Sequence, residues 1–392
     1  MQRHISRVAN NIIFRLILAL IFGLFVGKYL PILIQSIFYA ISLTLKESLI
    51  FLLPFIIFSC IFSCLLSFKS DVFKFIIILI LCICLSNFIS TIIGYNVSHI
   101  TLSNLENFSN INNTTKESLN PYWDFKIPVL ISNNVALFSG LIGGLIFSKF
   151  RKPRIDFLSN KLRDYVTLFL NKAFIPVLPI FALGFIIKLE SDGILSQILS
   201  SYLPLVLAII ITQFVYIAIL YFIGSGFNIK QFIYFIKNVM PAGIMGFSSM
   251  SSMAALPLTI QAAEKNTKKV DLSRTIAPAT VNIHLIGDSI AIPMIALVIM
   301  STFGSGFPDF STFLVFSFYF VLAKFAVAAV PGGGILVMIT ILETHLGFTP
   351  EMGGLITALY ILLDPIITSA NVLGNGAFTI ITSKILSGKT VN

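Results

Sequence analysis

Long apolar runs, separated by short polar or basic segments, fill most of the 392-residue chain. About 20 apolar residues in helical form cross the hydrocarbon core of a membrane, so runs of this length are typical of transmembrane helices. Residues 31–45 are also apolar and are expected to lead into the second of these helices. Before residue 225 the runs predict six spans, at residues 12–27, 49–68, 75–100, 127–147, 165–187 and 202–222.

Beyond residue 225 glycine, proline and serine interrupt the apolar runs. Residues 232–260 are broken at 246–257, and residues 313–342 are broken at 330–334. Two interrupted hydrophobic segments of this kind indicate the binding site of a transporter, because broken helices expose their backbone dipoles there. The charge of the flanking loops places the two segments on opposite faces of the membrane, so they are predicted to be opposed re-entrant hairpins.

A seventh span is predicted between these segments, at residues 275–300, and it carries three polar side chains at membrane depth. A polar contact between helices would explain Asn282, but it does not readily explain both His284 and Asp288. In a continuous helix these two residues share a face, where they can hydrogen-bond or exchange a proton.

The eighth span, residues 355–385, carries a stripe of polar side chains. Asp364, Thr368, Asn371 and Asn375 lie at i, i+4, i+7 and i+11, which places them on one face of a helix. An acid in the hydrocarbon core costs roughly 2.5–3.5 kcal/mol on insertion scales. Polar packing between helices would explain Thr368 or Asn371 alone. The complete stripe of four polar residues favours the interpretation that this helix face lines a transport site.

Composition supports a membrane protein. The chain is 57% hydrophobic and 11% charged, whereas a soluble domain is about 25% charged. The formal net charge of +10 could indicate nucleic-acid binding, but the basic residues cluster in loops between apolar runs. This arrangement is typical of topology signals and places the basic segment 149–164, and both termini, in the cytoplasm. The polar loop 101–126 is poor in basic residues and is expected outside, with the protein in the plasma (inner) membrane.

The sequence therefore predicts an all-α polytopic membrane protein with eight transmembrane helices and two opposed re-entrant helical hairpins. No soluble domain fits between the spans. The predicted layout comprises three spans, an extracellular loop, three further spans, a transport core and a cytoplasmic tail, at residues 1–100, 101–126, 127–224, 225–385 and 386–392.

Enzymatic and ATP-driven functions are not expected. The sequence contains no HExxH metal motif, no GxxxxGK[ST] phosphate-binding loop and no recognisable nucleophile–base pair. The four cysteines lie within apolar runs and are interpreted as small buried side chains. No cofactor, no resident metal and no catalytic residue are predicted.

Four motifs together resemble the dicarboxylate/amino acid:cation symporter family, which includes bacterial glutamate and aspartate transporters. The motifs are SSMAALPLT at 251–259, ATVN at 279–282, VPGGG at 330–334 and DPIITSANV at 364–372. The resemblance implies an elevator-type homotrimer, in which a transport core slides against a scaffold formed by spans 1–2 and 4–6. It also implies that the hairpin tips enclose the substrate. Ser251 and Ser252 on the first tip would meet the substrate α-carboxylate, and Val330 and Gly334 on the second tip would close over it.

The last helix carries both a match to this family and a departure from it. The resemblance implies that Asp364 receives the substrate amino group and that Thr368 and Asn371 hold its other ends. Family members that carry acidic substrates have an arginine before this threonine, where this sequence has Ile367, and some have another at the first tip, where it has Met250. Without a guanidinium to pair with a second carboxylate, the expected substrate is a neutral amino acid or a monocarboxylate.

The coupling positions depart from the family as well. The resemblance implies that His284 and Asn375 replace sodium-binding aspartates, and that Lys324 lies where backbone carbonyls would surround a further sodium. A lysine that snorkels to the membrane interface is the alternative for Lys324. Otherwise its ammonium acts as a tethered cation, and Asp288 is a partner for Lys324 or His284. The predicted coupling set is Thr280, Asn282, His284, Asp288, Lys324 and Asn375.

The predicted function is secondary active symport of small amino acids or carboxylates. The coupling cation is a proton or sodium, with the proton favoured because histidine titrates near neutral pH. Two alternatives remain open: a classical sodium-coupled glutamate, aspartate or dicarboxylate symporter, and a channel-like or receptor protein on the same scaffold. The expected partners are the substrate, the lipid bilayer and further copies of the chain, with no nucleic acid.

Overall fold

The computed structural model describes residues 12–67, 73–103, 119–128, 130–149, 153–169, 172–173, 175–191, 202–327 and 333–387. All the regular secondary structure described in these residues is helical, apart from turns and bends. The α-helices are, in chain order, α1 (Ile12–Phe25), α2 (Ile32–Ser67), α3 (Phe73–Ser103), α4 (Asn133–Lys149), α5 (Pro153–Phe169), α6 (Ile175–Ser191), α7 (Leu203–Gly224), α8 (Ile229–Ser249), α9 (Ser252–Thr267), α10 (Val270–Thr280), α11 (Ile286–Thr302), α12 (Phe310–Ala323), α13 (Gly333–Leu346) and α14 (Pro350–Ser387).

The first seven helices follow the predicted spans with two differences. The apolar stretch 31–45 and the second span form a single 36-residue helix, α2. The basic segment 149–164, expected only to connect two spans, contributes most of α5. The helix docks on α2 because the Ser159 hydroxyl donates a hydrogen bond to the Ser63 hydroxyl, at 2.9 Å. The predicted fifth span is consequently divided between α5 and α6.

Helix α7 has the surface of a helix that faces lipid. Its buried residues, which include Leu205, Ile209 and Gln213, lie on one side. Exposed Leu207, Ile211 and others recur every four residues on the opposite side. A long exposed apolar stripe is unfavourable in water but fits the hydrocarbon of a bilayer. By length and composition, three helical segments in the described part of the chain are able to cross a membrane: Ile77–Thr101, Leu203–Gly224 and Pro350–Leu386.

The first interrupted segment forms two packed helices, α8 and α9, joined by a sharp turn. Met250 adopts a left-handed conformation with φ of 50° and ends α8. Ser251 then caps α9, because its side-chain oxygen accepts a hydrogen bond from the Ala254 amide. The amino end of α9 therefore lies at the tip of this helix pair.

The predicted seventh span is not one helix. It divides into α10 and α11, and residues 281–285 between them are not helical. Asn87 on α3 holds this irregular segment through two hydrogen bonds. Its Nδ2 donates to the Ile283 carbonyl at 2.8 Å, and its Oδ1 accepts from the Leu285 amide at 3.1 Å. Asn87 thus provides partners for backbone groups that a continuous helix would have paired internally.

The second interrupted segment forms α12 and α13. Helix α12 ends in a short 3-10 turn, Lys324–Ala326, and α13 begins at Gly333. Val330, predicted to close over the substrate, lies outside the described residues.

The centre of the molecule is formed by α11 and α14. Almost every residue of α11 is buried. The 38-residue helix α14 continues through Pro365 and packs against α8, α9, α10 and α11. A side chain at Gly287 would collide with the backbone of Ile367, so this glycine permits the close approach of α11 to α14. The polar stripe of α14 is therefore held inside the protein.

Candidate functional site

A cavity lies where the α8–α9 tip, the break between α10 and α11, the α12–α13 pair and α14 meet. Its walls combine the predicted substrate residues of α9 and α14 with polar groups from α11 and the break. The lining residues are Met250, Ser251, Ser252, Val281, Asn282, Leu285, Asp288, Val327, Gly334, Tyr360, Asp364, Thr368 and Asn371. The chain therefore brings together, around one cavity, residues that are more than a hundred positions apart in sequence.

One wall of the cavity is suited to an anion. Ser251 and Ser252 lie at the amino end of α9 and are both partly exposed. The first amides of a helix have no partners within the helix, and the helix dipole makes this end positive. A carboxylate bound there accepts hydrogen bonds from backbone amides without requiring a basic side chain.

The α14 wall is suited to a cation. Asp364 is 5% exposed and accepts a hydrogen bond from the Thr368 hydroxyl at 3.0 Å. A buried carboxylate binds an ammonium strongly because the medium around it screens charge poorly. Nearby in the break, Asn282 lines the same cavity, and its side-chain carbonyl oxygen has no hydrogen-bond partner among the described residues. The Asp364 carboxylate and the Asn282 side-chain carbonyl are both hydrogen-bond acceptors.

A second buried acid, Asp288, lies in the first turn of α11 and is already surrounded. The Tyr360 hydroxyl donates to its Oδ1 at 2.9 Å, and Asn371 Nδ2 donates to the same oxygen at 3.3 Å. Asn371 also accepts from the Asp288 amide at 3.3 Å. The Lys324 ammonium lies 3.6 Å from Oδ2. Asp288 is thus held by groups from both α14 and the end of α12.

The position of Lys324 excludes the snorkelling alternative. Its side chain is fully buried, and Nζ lies 4.2 Å from the centre of the Phe320 ring. A snorkelling lysine would place its ammonium at the membrane surface. Here the ammonium points into the protein instead, between an aromatic face and a carboxylate.

His284 and Asp288 do not share the face predicted for them, because residues 281–285 are not helical. The Nε2 atom of His284 lies 2.9 Å from the Ser86 hydroxyl, and its ring lies 4.0 Å from that of Phe378. Its Nδ1 has no hydrogen-bond partner among the described residues. The structure therefore pairs Asp288 with Lys324 and not with His284.

Thr280 and Asn375, also predicted to contact the coupling cation, contact each other. The Thr280 hydroxyl donates to Asn375 Oδ1 at 2.5 Å, and Asn375 Nδ2 donates to the Ala277 carbonyl at 3.1 Å. Each side chain is nearly or fully buried. These bonds tie α10 to α14 away from the cavity lining.

Ile367 is fully buried and does not line the cavity, whereas Met250 does. Arg274 is the only arginine of the chain after residue 163. It pairs with Glu264 at 2.6 Å, with a side chain that is 66% exposed. No arginine of the transport core is therefore available to the cavity.

Sequence reasoning missed Tyr360, Asn87 and Ser86. Tyr360 lies four residues before Asp364 and so continues the polar stripe by one turn. This spacing was a usable signal, but the tyrosine looked like part of the apolar run. Asn87 and Ser86 lie on α3, far from the motifs, and only the fold brings them to the break.

The sequence model of the sodium:dicarboxylate symporter family matches residues 12–385, nearly the whole chain. The chain belongs to this family. The predicted resemblance to this family is confirmed. The family is described as one of symporters, and membership of it supports the prediction of an integral membrane protein.

Curated relatives are excitatory amino acid transporters. The chain is 27% identical over 227 residues to excitatory amino acid transporter 1 of Ambystoma tigrinum, covering 57% of this chain and 40% of that protein. It is 26% identical over 225 residues to the human protein of the same name, covering 56% and 40%. It is 28% identical over 196 residues to an excitatory amino acid transporter of Caenorhabditis elegans, covering 49% and 38%. The matches thus span about two fifths of these relatives' length.

Proposed function

We propose that this protein is a secondary active symporter for small neutral amino acids. The observation that carries the proposal is a cavity with an acid on one wall and a helix amino end on another, and with no arginine among its lining residues. A zwitterion has matching charges. Its carboxylate would bind the amides at Ser251 and Ser252, and its ammonium would bind Asp364.

The two acids of the cavity have different roles in this proposal. Asp288 is already neutralised by an ammonium of the chain itself, at 3.6 Å. We therefore assign the substrate ammonium to Asp364, whose buried carboxylate lines the cavity. Thr368 and Asn371 contact the remainder of the substrate.

Selectivity against acidic amino acids follows from the charges of the cavity. Aspartate or glutamate would bring a second carboxylate close to Asp288 and Asp364 with no guanidinium to receive it. Burying such a charge unpaired costs several kcal/mol, which corresponds to a preference of roughly a hundredfold or more for a neutral side chain.

The coupling is proposed to differ from multi-sodium symport. The coupling residues His284, Asn375 and Lys324 provide neutral or cationic groups where sodium needs several oxygen ligands and a compensating negative charge. In addition, Thr280 and Asn375 already hydrogen-bond each other. A proton is the coupling cation in this proposal.

The assembly is proposed to be a homotrimer in which residues 225–385 move as the transport core. The dense packing of α14 against α8, α9, α10 and α11 supports a core that moves as one body. The two helix pairs that flank the cavity, α8–α9 and α12–α13, are proposed to be the opposed re-entrant hairpins.

Uptake by purified protein in liposomes tests the function. A panel of neutral and acidic amino acids is supplied while the sodium, proton and potassium gradients are imposed separately. We expect concentrative uptake of neutral amino acids that continues with choline in place of sodium and responds to a proton gradient. Flux that only equilibrates the substrate under every gradient would indicate a channel, and strict sodium dependence without a proton effect would contradict the proposed coupling.

A further inference from the structure

Both helices of the α12–α13 pair approach the Asp288 carboxylate. Lys324, at the end of α12, places its ammonium 3.6 Å from Oδ2. Gly334, in the first turn of α13, packs so closely that a Cβ atom there would collide with the same Oδ2 and with the Tyr360 hydroxyl. One carboxylate on α11 therefore lies beside both the end of α12 and the start of α13.

The groups around Asp288 form a site for a monovalent cation. The carboxylate supplies charge and oxygen, Tyr360 and Asn371 hold Oδ1, and Oδ2 faces the ammonium. The ammonium is covered on another side by the Phe320 ring, at 4.2 Å from its centre. Carboxylate and aromatic face are both groups that attract cations.

The ammonium makes an ion pair with Asp288 and no hydrogen bond to any described residue. The Lys324 ammonium therefore contributes mainly its positive charge, which lies between α11 and the end of α12. A charge of this kind can also be supplied by a free ion of similar size. In this chain the positive charge is supplied by a lysine side chain, which is covalently attached.

We propose that the Lys324 ammonium is a built-in cation that occupies a monovalent-cation site at Asp288 and joins the end of α12 to α11 without a free ion at this position. This inference deepens the proposed function and rests on it for the coupling of transport to a cation.

Removing the ammonium should convert the site into one that needs a free cation. In Lys324→Ala the carboxylate, Tyr360 and Asn371 remain, and the space of the lysine side chain becomes available to an ion with water. Lys324→Met is the matched control, because methionine fills most of that space and adds no charge. Asp288→Asn combined with Lys324→Met removes both charges and therefore the need for a cation.

Thermal unfolding of the purified full-length protein tests the inference without any substrate. Unfolding midpoints are measured in sodium chloride, potassium chloride and choline chloride at equal ionic strength. We expect the wild type and the double variant to be insensitive to the cation, and Lys324→Ala to be selectively stabilised by sodium or potassium over choline. A wild type that sodium or potassium stabilises selectively, or a Lys324→Ala protein indifferent to the cation, would overturn the inference.

Binding of a neutral amino acid by the same proteins gives the functional counterpart. We expect wild-type affinity to be equal in choline and sodium within about twofold, and Lys324→Ala to lose at least about tenfold in choline and regain it in sodium. Lys324→Met should lose affinity without regaining it. Because unfolding is measured without an amino acid, failure of the wild type to bind any amino acid would contradict the proposed function separately from the cation site.

Discussion

At the scale of single residues, the cavity separates two acids that look alike in the sequence. Asp288 is held by Tyr360, Asn371 and Lys324, whereas Asp364 lines the same cavity as the amino end of α9 and accepts from Thr368. In the proposed function, the acid that is neutralised within the protein has a structural role. The other acid is placed where an ammonium can reach it. Environment, rather than residue type, therefore assigns their roles.

Asp364→Asn tests the ammonium site. Asparagine keeps the size of the side chain and can still accept from Thr368, so the protein should reach the membrane and fold. Losing one partner of a buried charge pair costs about 3–5 kcal/mol, so amino-acid affinity should fall at least about a hundredfold. Isothermal titration calorimetry measures this loss. The control is Asp271→Asn, which neutralises an exposed acid on α10; equal affinity in both variants would remove Asp364 from the substrate site.

At the scale of elements, the sequence predicted the interrupted segments and the polar helix but not the break in the seventh span. The two interrupted segments contain serine, glycine and proline, which break an apolar run visibly. Residues 281–285, Val-Asn-Ile-His-Leu, contain neither glycine nor proline. Asn87 on another helix stabilises the break through long-range hydrogen bonds. The local sequence pattern could not predict this break. It also could not decide whether Lys324 or His284 is the partner of Asp288.

Asn87→Leu tests whether this asparagine holds the break. Leucine would leave the Ile283 carbonyl and the Leu285 amide buried without their partner, at about 1–3 kcal/mol for each group. We expect a clear drop in the unfolding midpoint, measured by differential scanning fluorimetry in detergent, together with weaker amino-acid binding.

Asn96→Leu is the matched control for this prediction. Asn96 lies on the same helix, is exposed, and bonds only the Ile92 carbonyl of its own helix. Its replacement should leave both the unfolding midpoint and binding close to the wild type. An Asn87→Leu protein as stable as Asn96→Leu would show that the break does not depend on Asn87.

At the scale of the whole molecule, membership of the sodium:dicarboxylate symporter family and the charges of the cavity suggest different substrates and different coupling ions. The family description indicates dicarboxylates and sodium. In this chain no arginine is among the residues that line the cavity, and a lysine neutralises one of its acids. The fold that the family shares explains why similarity over the whole chain predicts a transport function. Substrate and coupling depend on a few side chains, which whole-chain similarity does not resolve.

The central claim, that the cavity selects neutral amino acids, is tested most directly by competition between isosteric ligands. Asparagine and aspartate, and likewise glutamine and glutamate, differ in an amide that replaces a carboxylate and hardly differ in size. Each is titrated against a bound radiolabelled neutral amino acid on the purified wild-type protein. The amide of each pair is predicted to compete roughly a hundredfold more strongly than its acid. Aspartate or glutamate binding more tightly than its amide would contradict the account.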